Sequence, residues 1–148
     1  MTTRRISDKG RKFIEREEDL RLQAYRDIRG VWTIGYGSTS GVQPGMIITQ
    51  EQAEEMLDND LITAETAVSK YVKVELNDNE FAALVSFTFN EGAGSLLSST
   101  LLRCLNKGNR ADAAQEFLKW NKTHINGVLT FVQDLADRRA REKALFLA

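Results

Sequence analysis

The sequence predicts an α+β fold, mostly helical, with a small β-containing lobe near its N-terminus. Three observations carry this. From Val31 to Gly37 the side chains alternate, Trp32, Ile34 and Tyr36 on one side and Val31, Thr33, Gly35 and Gly37 on the other, which is the period of a half-buried strand. From Thr49 to Tyr71 the apolar residues recur at helical spacing. The composition, 42% hydrophobic and 28% charged with only 1 Pro and 10 Gly, is that of an ordinary globular chain and leaves room for uninterrupted helices. At 148 residues the chain is one folding unit, long enough to bury a sizeable core.

The first helix runs from Ser7, whose side chain can cap it, to about Glu18, with Phe13, Ile14 and Leu20 facing inward. Ala24 to Asp27 can pair with the strand that starts at Val31, through the short loop Ile28-Arg29-Gly30, whose glycine suits a residue at positive φ. Asp27 and Thr33 can therefore sit close together. Ser38 to Ile48 is polar, and Pro44-Gly45 marks a turn. Thr49-Gln-Glu-Gln52 fits a capping box, so a long helix begins there. Its stripe of Ala53, Met56, Leu57, Leu61, Ala64, Ala67, Val68 and Tyr71 faces the core and its acidic residues face solvent.

Val72 to Leu76 reads as an extended link, and Asn77-Asp-Asn-Glu80 as a second cap. Phe81, Leu84, Val85, Thr88 and Phe89 follow at helical spacing and form a central core helix, which bends at Gly92-Ala-Gly94. Ser98 or Ser99 caps a short helix through Leu101, Leu102 and Leu105, ended by Asn106-Lys107-Gly108. Ala113, Ala114, Phe117 and Leu118 make the next amphipathic helix. Trp120 is most simply a core or lobe-packing aromatic, with a cleft wall as its other use, and His124 sits in a polar loop. The chain closes on a helix with Leu135, Ala136, Arg139, Ala140 and Ala144 near one side.

Chemistry concentrates at the junction of the first helix and the hairpin. A helix C-terminus carries partial negative charge, and Glu15, Glu17 and Asp19 lie beside Glu18, so its carboxyl resists ionisation, as a general acid must. Asp27, on a polar turn near Arg26 and Arg29, favours the ionised form, which orients a nucleophile or stabilises positive charge. Two carboxyls in divergent environments are what glycoside hydrolysis needs. The arginine run near the end is either a solvated basic face or the source of a partner for Glu18, from Arg138, Arg139 or Arg141.

Other classes are excluded or disfavoured. The net charge of −1 argues against a general nucleic-acid binder, and Gly35-Tyr-Gly37 and Gly92-Ala-Gly94 match no phosphate loop. Cys104 stands alone, so no internal disulfide forms, and His124 has no second histidine or cysteine near it, so no metal and no cofactor are expected. The two arginines at the N-terminus begin like a secretion signal, but no apolar run follows, and no segment reaches membrane-spanning length.

The stretch Glu18-Asp-Leu-Arg-Leu-Gln-Ala-Tyr-Arg-Asp27 followed by Gly30-Val-Trp-Thr33-Ile-Gly-Tyr-Gly37 closely resembles the active-site segment of the phage lysozyme (endolysin) family, lambdoid-phage type. That family spaces a catalytic Glu, an Asp and a Thr as Glu18, Asp27 and Thr33 are spaced here. The likeness continues through Val42-Gln-Pro-Gly, Phe87-Thr-Phe-Asn-Glu-Gly-Ala-Gly, Ser99-Thr-Leu-Leu-Arg, Phe117-Leu-Lys-Trp-Asn-Lys and the terminal arginines. Asp19 stands where many relatives have Gly, Ser38 where many have His, and Thr123 to Asp134 lacks their Pro-Gly.

The resemblance implies a lysozyme-like fold, one domain over 1–148 with a β-containing active-site lobe at 14–60, a helical lobe at 61–148 on which 1–13 pack, and the long helix joining them. It implies hydrolysis of the β-1,4 bond between N-acetylmuramic acid and N-acetylglucosamine in bacterial peptidoglycan, causing host lysis. Glu18 would be the general acid, Asp27 with Thr33 would position water or stabilise the transition state, and Phe89 would face substrate. It suggests inversion, for which the two carboxyls stand roughly 6.5 to 9.5 Å apart. A monomer made in the host cytoplasm, reaching the periplasmic cell wall through a holin and without stable membrane insertion, completes the expectation. The competing reading is a catalytically impaired peptidoglycan-binding module, and a weaker one is membrane disruption by the basic C-terminal helix.

Overall fold

A computed structural model describes residues 3–148. In chain order the elements are α1 (Asp8–Glu18), β1 (Arg21–Arg26), β2 (Trp32–Gly35), α2 (Gln50–Tyr71), α3 (Asp78–Glu91) and α4 (Ala93–Ser98). They are followed by α5 (Thr100–Asn106), α6 (Arg110–Phe117), β3 (Lys122–Ile125), β4 (Val128–Phe131) and α7 (Gln133–Leu147). The fold is mostly helical, with two separate two-stranded antiparallel sheets.

The helix starts follow from local side-chain chemistry. Ser7 Oγ accepts the Gly10 N–H, and Thr49 with Gln52 and Asn77 with Glu80 form complete capping boxes at α2 and α3. Of the two candidate caps for α5, Ser99 serves, accepting the Leu102 N–H at 3.0 Å, while Ser98 ends α4. Gly92, at φ 98°, both ends α3 and begins α4, so the expected bend is a helix-to-helix turn.

The first hairpin pairs Tyr25 with Thr33 and Arg26 with Trp32, and β1 begins at Arg21, earlier than the alternation suggests. The segment after the Pro44-Gly45 turn lies along it, with Ala24 donating to Met46 O and Ile48 to Leu22 O, each at 2.9 Å. The expected half-buried strand is instead covered on both faces, because Thr33, Ile34, Gly35 and Tyr36 are all buried. Gly35 permits this. Its φ is +68°, and a Cβ there would stand 3.3 Å from the Ala53 Cβ of α2.

One contiguous apolar cluster runs from Ile34, Tyr36 and Ile48 through Leu57 and Leu61 to Phe87, Phe117 and Phe146. At its centre α3 is buried without interruption from Glu80 to Thr88, which is why its residues are apolar around the whole helix. Trp120 packs edge-on against Phe87 at 5.3 Å between ring centres. Gly10 lies where α1 crosses α3, and a Cβ there would meet the Ala82 Cβ at 2.7 Å and Ile6 Cγ1 at 2.6 Å. Gly10→Ala is therefore expected to cost about 1–3 kcal/mol by overpacking, read from the midpoint of urea unfolding. An unchanged midpoint would contradict that close approach.

The N-terminal segment is fastened to the helices. Arg4 stacks over Phe81 and donates to Leu76 O and Asp78, while Ile6 N–H donates to Glu65 at 2.7 Å. Met1 and Thr2, part of the expected 1–13 packing segment, lie outside the described residues. Glu65 corrects the expectation that the acids of α2 face solvent. It is fully buried, because Arg5 Nε stands 2.8 Å from Oε1 and the Ile6 N–H meets Oε2.

Two further corrections concern the C-terminal third. His124 sits in β3, not in a loop, because Asn126 (φ 52°) and Gly127 (φ 80°) turn the chain into a two-residue hairpin with Ile125 opposite Val128. On α7 the buried positions are Arg138, Arg139, Glu142 and Phe146, while Ala140 and Ala144 are exposed. Two alanines bring little area to a core. The charged side chains go inside instead because each finds an opposite charge there.

Candidate active site

Glu18 is the last residue of α1, and its side chain is 14% exposed. Of the three candidate arginines, Arg138 is the one that meets it, Nη1 donating to Oε1 at 3.1 Å and Oε2 at 3.0 Å. Arg141 takes Glu17 instead, at 2.7 and 2.8 Å. Arg139 turns to Glu142, Glu91 and Asn90. The acidic end of α1 is thus met by the basic face of α7, and the solvated-face reading of the arginine run fails for Arg138 and Arg139.

Asp19, the residue after Glu18, adopts φ 51°, ψ 146°, a backbone conformation that side chains other than glycine's resist. Asp19→Gly is expected to raise stability by about 1 kcal/mol through release of that strain. A thermal melt checks it, and a lowered melting temperature would refute it.

Asp27 follows β1 directly. Partial burial pushes its carboxyl up, but the backbone N–H groups of Val31 and Arg29, both 2.9 Å from Oδ1, and the Arg29 guanidinium outweigh that and hold it below its usual value. The sequence expectation of an ionised Asp27 follows from this turn. A carboxyl so lowered contributes stability that is present above its unfolded-state value and lost as pH falls through the folded one. Asp27→Asn is therefore expected to melt below wild type at neutral pH and to converge with it under roughly pH 4. A gap that widens in acid would reverse the sign.

Thr33 is buried, and its Oγ1 donates to Val31 O at 2.9 Å. Val31 links the two candidates, since its N–H donates to the Asp27 side chain and its carbonyl accepts from both the Asp27 N–H and Thr33. Glu18 lines a cavity of about 310 Å³ with Arg29, Gly37, Asp60, Phe89 and Asn90. Asp27 lines an adjoining one of about 440 Å³ that also holds Arg29 and Asn90, with Glu91, Thr123 and Asp134. The fold therefore brings Glu18, Phe89 and Asp27 to two cavities that share Arg29 and Asn90 as one cleft, while Thr33 is buried and lines neither.

Four participants escaped the sequence reading. Asp60 of α2 reaches the cleft and accepts the Ser38 hydroxyl at 2.5 Å, which ties the turn after β2 to the long helix. Asn90 follows Phe89 at the join of the two cavities, where only its neighbour had been singled out. Glu142 and Ser86 lie behind Arg138, where the spacing of Glu142 four residues after Arg138 was the available signal. Among the described residues no acidic, histidine and cysteine cluster could hold a metal.

The phage lysozyme family model matches residues 15–142. The endolysin of Acyrthosiphon pisum secondary endosymbiont phage 1 is 44% identical over 141 residues, 95% of this chain and 97% of that protein. Among solved structures, an endolysin from Escherichia coli O157:H7 phage FAHEc1 superposes with a TM-score of 0.94 at 38% identity, covering 99% of this chain and 95% of that one. The muramidase domain of SpmX from Asticaccaulis excentricus does so with a TM-score of 0.90 at 40% identity, over 97% and 98%.

Proposed function

The chain belongs to the phage lysozyme family, and from that membership we propose how its cleft works. It is a muramidase of the endolysin kind, hydrolysing the β-1,4 bond between N-acetylmuramic acid and N-acetylglucosamine in bacterial peptidoglycan and so lysing the host. Glu18 protonates the leaving glycosidic oxygen. Asp27 stays ionised and, with Thr33, positions water or stabilises the oxocarbenium-like transition state. Thr33 suits this, because a hydroxyl that donates to Val31 O still has lone pairs to accept from a water. Phe89 offers its ring to a sugar face beside Glu18.

The observation that carries this reading is the contrast between the two carboxyls of one cleft. Asp27 is held ionised by backbone donors and Arg29, whereas Glu18 ends a helix with its negative pole and shares Arg138 with another carboxylate. Digestion of outer-membrane-stripped Gram-negative peptidoglycan, with the new reducing ends identified by mass spectrometry, tests it. Muramic-acid ends are expected, and glucosamine ends would overturn the assignment. NMR of the first-formed anomer reads inversion or retention directly.

The lobes divide at about residue 60, within α2, with 14–60 carrying Glu18 and Asp27 and 61–148 most of the helices. The protein acts as a monomer, is made in the host cytoplasm and reaches the periplasmic wall when a holin opens the way. Family membership supports these points. Expression with and without a holin tests the last, since lysis in both cultures would refute dependence. No helix among the described residues is long and apolar enough to cross a membrane.

A further inference from the structure

Behind Glu18 lies a buried chain of charges that the reaction as described does not use. Arg138 donates through Nη1 to Glu18, through Nε to Glu142 Oε2 at 3.2 Å, and through Nη2 to Ser86 O and Oγ at 3.2 and 3.3 Å. Ser86 in turn donates its hydroxyl to Glu142 Oε2 at 2.5 Å. Glu142 and Ser86 are fully buried. Arg139, also fully buried, stands 3.1 Å from Glu142 Oε1 without the alignment of a hydrogen bond and 3.5 Å from Glu91. One guanidinium therefore serves two carboxylates on opposite sides.

A buried carboxylate needs a cation, yet Glu142 lines neither of the cleft cavities described above. Its position matters for the charge that Glu18 feels. An arginine devoted to Glu18 would hold that carboxyl ionised, which opposes proton donation. An arginine already paired on its far side exerts much less pull. We propose that Glu142, fixed by Ser86, is a positioning residue of the reaction: it holds Arg138 in place beside the proton donor Glu18 and offsets its charge.

The inference rests on Glu18 being the general acid. The other charged groups around Glu18 are Asp60 from α2 and Arg29 from the β1–β2 loop across the cleft, Glu17 and Asp19 on its own helix end, and Glu91 of α3 through Arg139. All of them remain in the variants that test the idea. Burial leaves the Glu142 carboxyl above its usual value, although Arg139, Arg138 and the Ser86 donor all pull it toward the ionised form.

The test is the pH profile of kcat/KM on stripped peptidoglycan for wild type, Glu142→Gln, Glu142→Asp and Ser86→Ala. In Glu142→Gln the alkaline limb is expected to move to lower pH by roughly one unit, while Glu142→Asp, which keeps the charge on a shorter side chain, restores most of it. A limb unmoved in folded Glu142→Gln, or moved equally in Glu142→Asp, would overturn the proposal and leave Glu142 a purely structural residue. If Glu142→Gln does not fold, Ser86→Ala decides. A fall in kcat of about threefold or more with KM unchanged supports the proposal, and an unchanged kcat refutes it. Glu18→Gln, run alongside, separates the two ideas, because turnover surviving there would mean that the acid assignment itself has failed.

Discussion

Glu18→Gln is expected to lower kcat on peptidoglycan by roughly 10²- to 10⁴-fold, the usual worth of a general acid, while glycan binding persists. Gln has nearly the shape of Glu, and its carbonyl oxygen can still accept from Arg138 Nη1, so the α1–α7 contact survives. What the amide cannot do is give up a proton to the leaving oxygen. Arg138 keeps Glu142 as its counter-charge, so the buried cation is not orphaned. The fold is therefore expected to hold, with only a small change in melting temperature. Clearing of stripped cell walls, reducing-end analysis and a thermal melt on the same sample read all three quantities. Equal clearing by wild type and variant would refute the assignment.

Arg138→Met is the substitution expected to damage the protein most, at about 3–5 kcal/mol of stability, the usual cost of breaking a buried pair from one side. Methionine replaces some of the side chain's volume but none of its donors. Glu18 and Glu142 then lose the cation they share, and the buried carbonyl and hydroxyl of Ser86 each lose a partner. Arg138→Lys is expected to recover little. An ammonium is a compact charge with three donors on a flexible stem, and it cannot present the planar fork that reaches Glu18, Glu142 and Ser86 together. Urea unfolding measures both variants. A loss under about 1 kcal/mol for the methionine variant would mean that the cluster is dispensable.

The double role of Arg138 explains why the active site and the helical core are one object. Its pair with Glu18 joins positions 120 apart in the chain, and the rest of its hydrogen bonds fasten it to α3 and α7. Loosening α7 would therefore be felt first at the acid. The Ser38–Asp60 bond does the corresponding work on the other side of the cleft, holding the hairpin turn to α2 with a neutral donor.

Much of this protein could be read from short stretches. Ser7, Thr49 with Gln52, and Asn77 with Glu80 announce helix starts because a cap is an exchange between a side chain and a backbone group three residues on. The first hairpin shows itself by alternation and by Gly30 at φ 80°. The second is equally legible, since Asn126-Gly127 is the strongest two-residue hairpin signal a sequence offers. The candidate catalytic residues were found by their spacing within one such stretch, and the cleft that Glu18, Asp27 and Phe89 line lies where that stretch meets α3.

What the sequence determined by itself, then, is most of the helices and the first hairpin, the apolar residues that hold α2 and α3 inside, and the two carboxyls beside that hairpin. What only the tertiary structure decided is which charges are buried and whom they meet. Glu65, Arg138 and Glu142 look like surface residues when read along a helix, and of Arg139, Ala140 and Ala144, which share a side, the arginine is the one buried. The physical reason is that an apolar side chain gains from any dry neighbour, so its fate can be inferred from periodicity alone. A charge is buried only where a particular opposite charge waits in the right direction, and for Glu65 and Glu18 that partner lies 60 and 120 residues away.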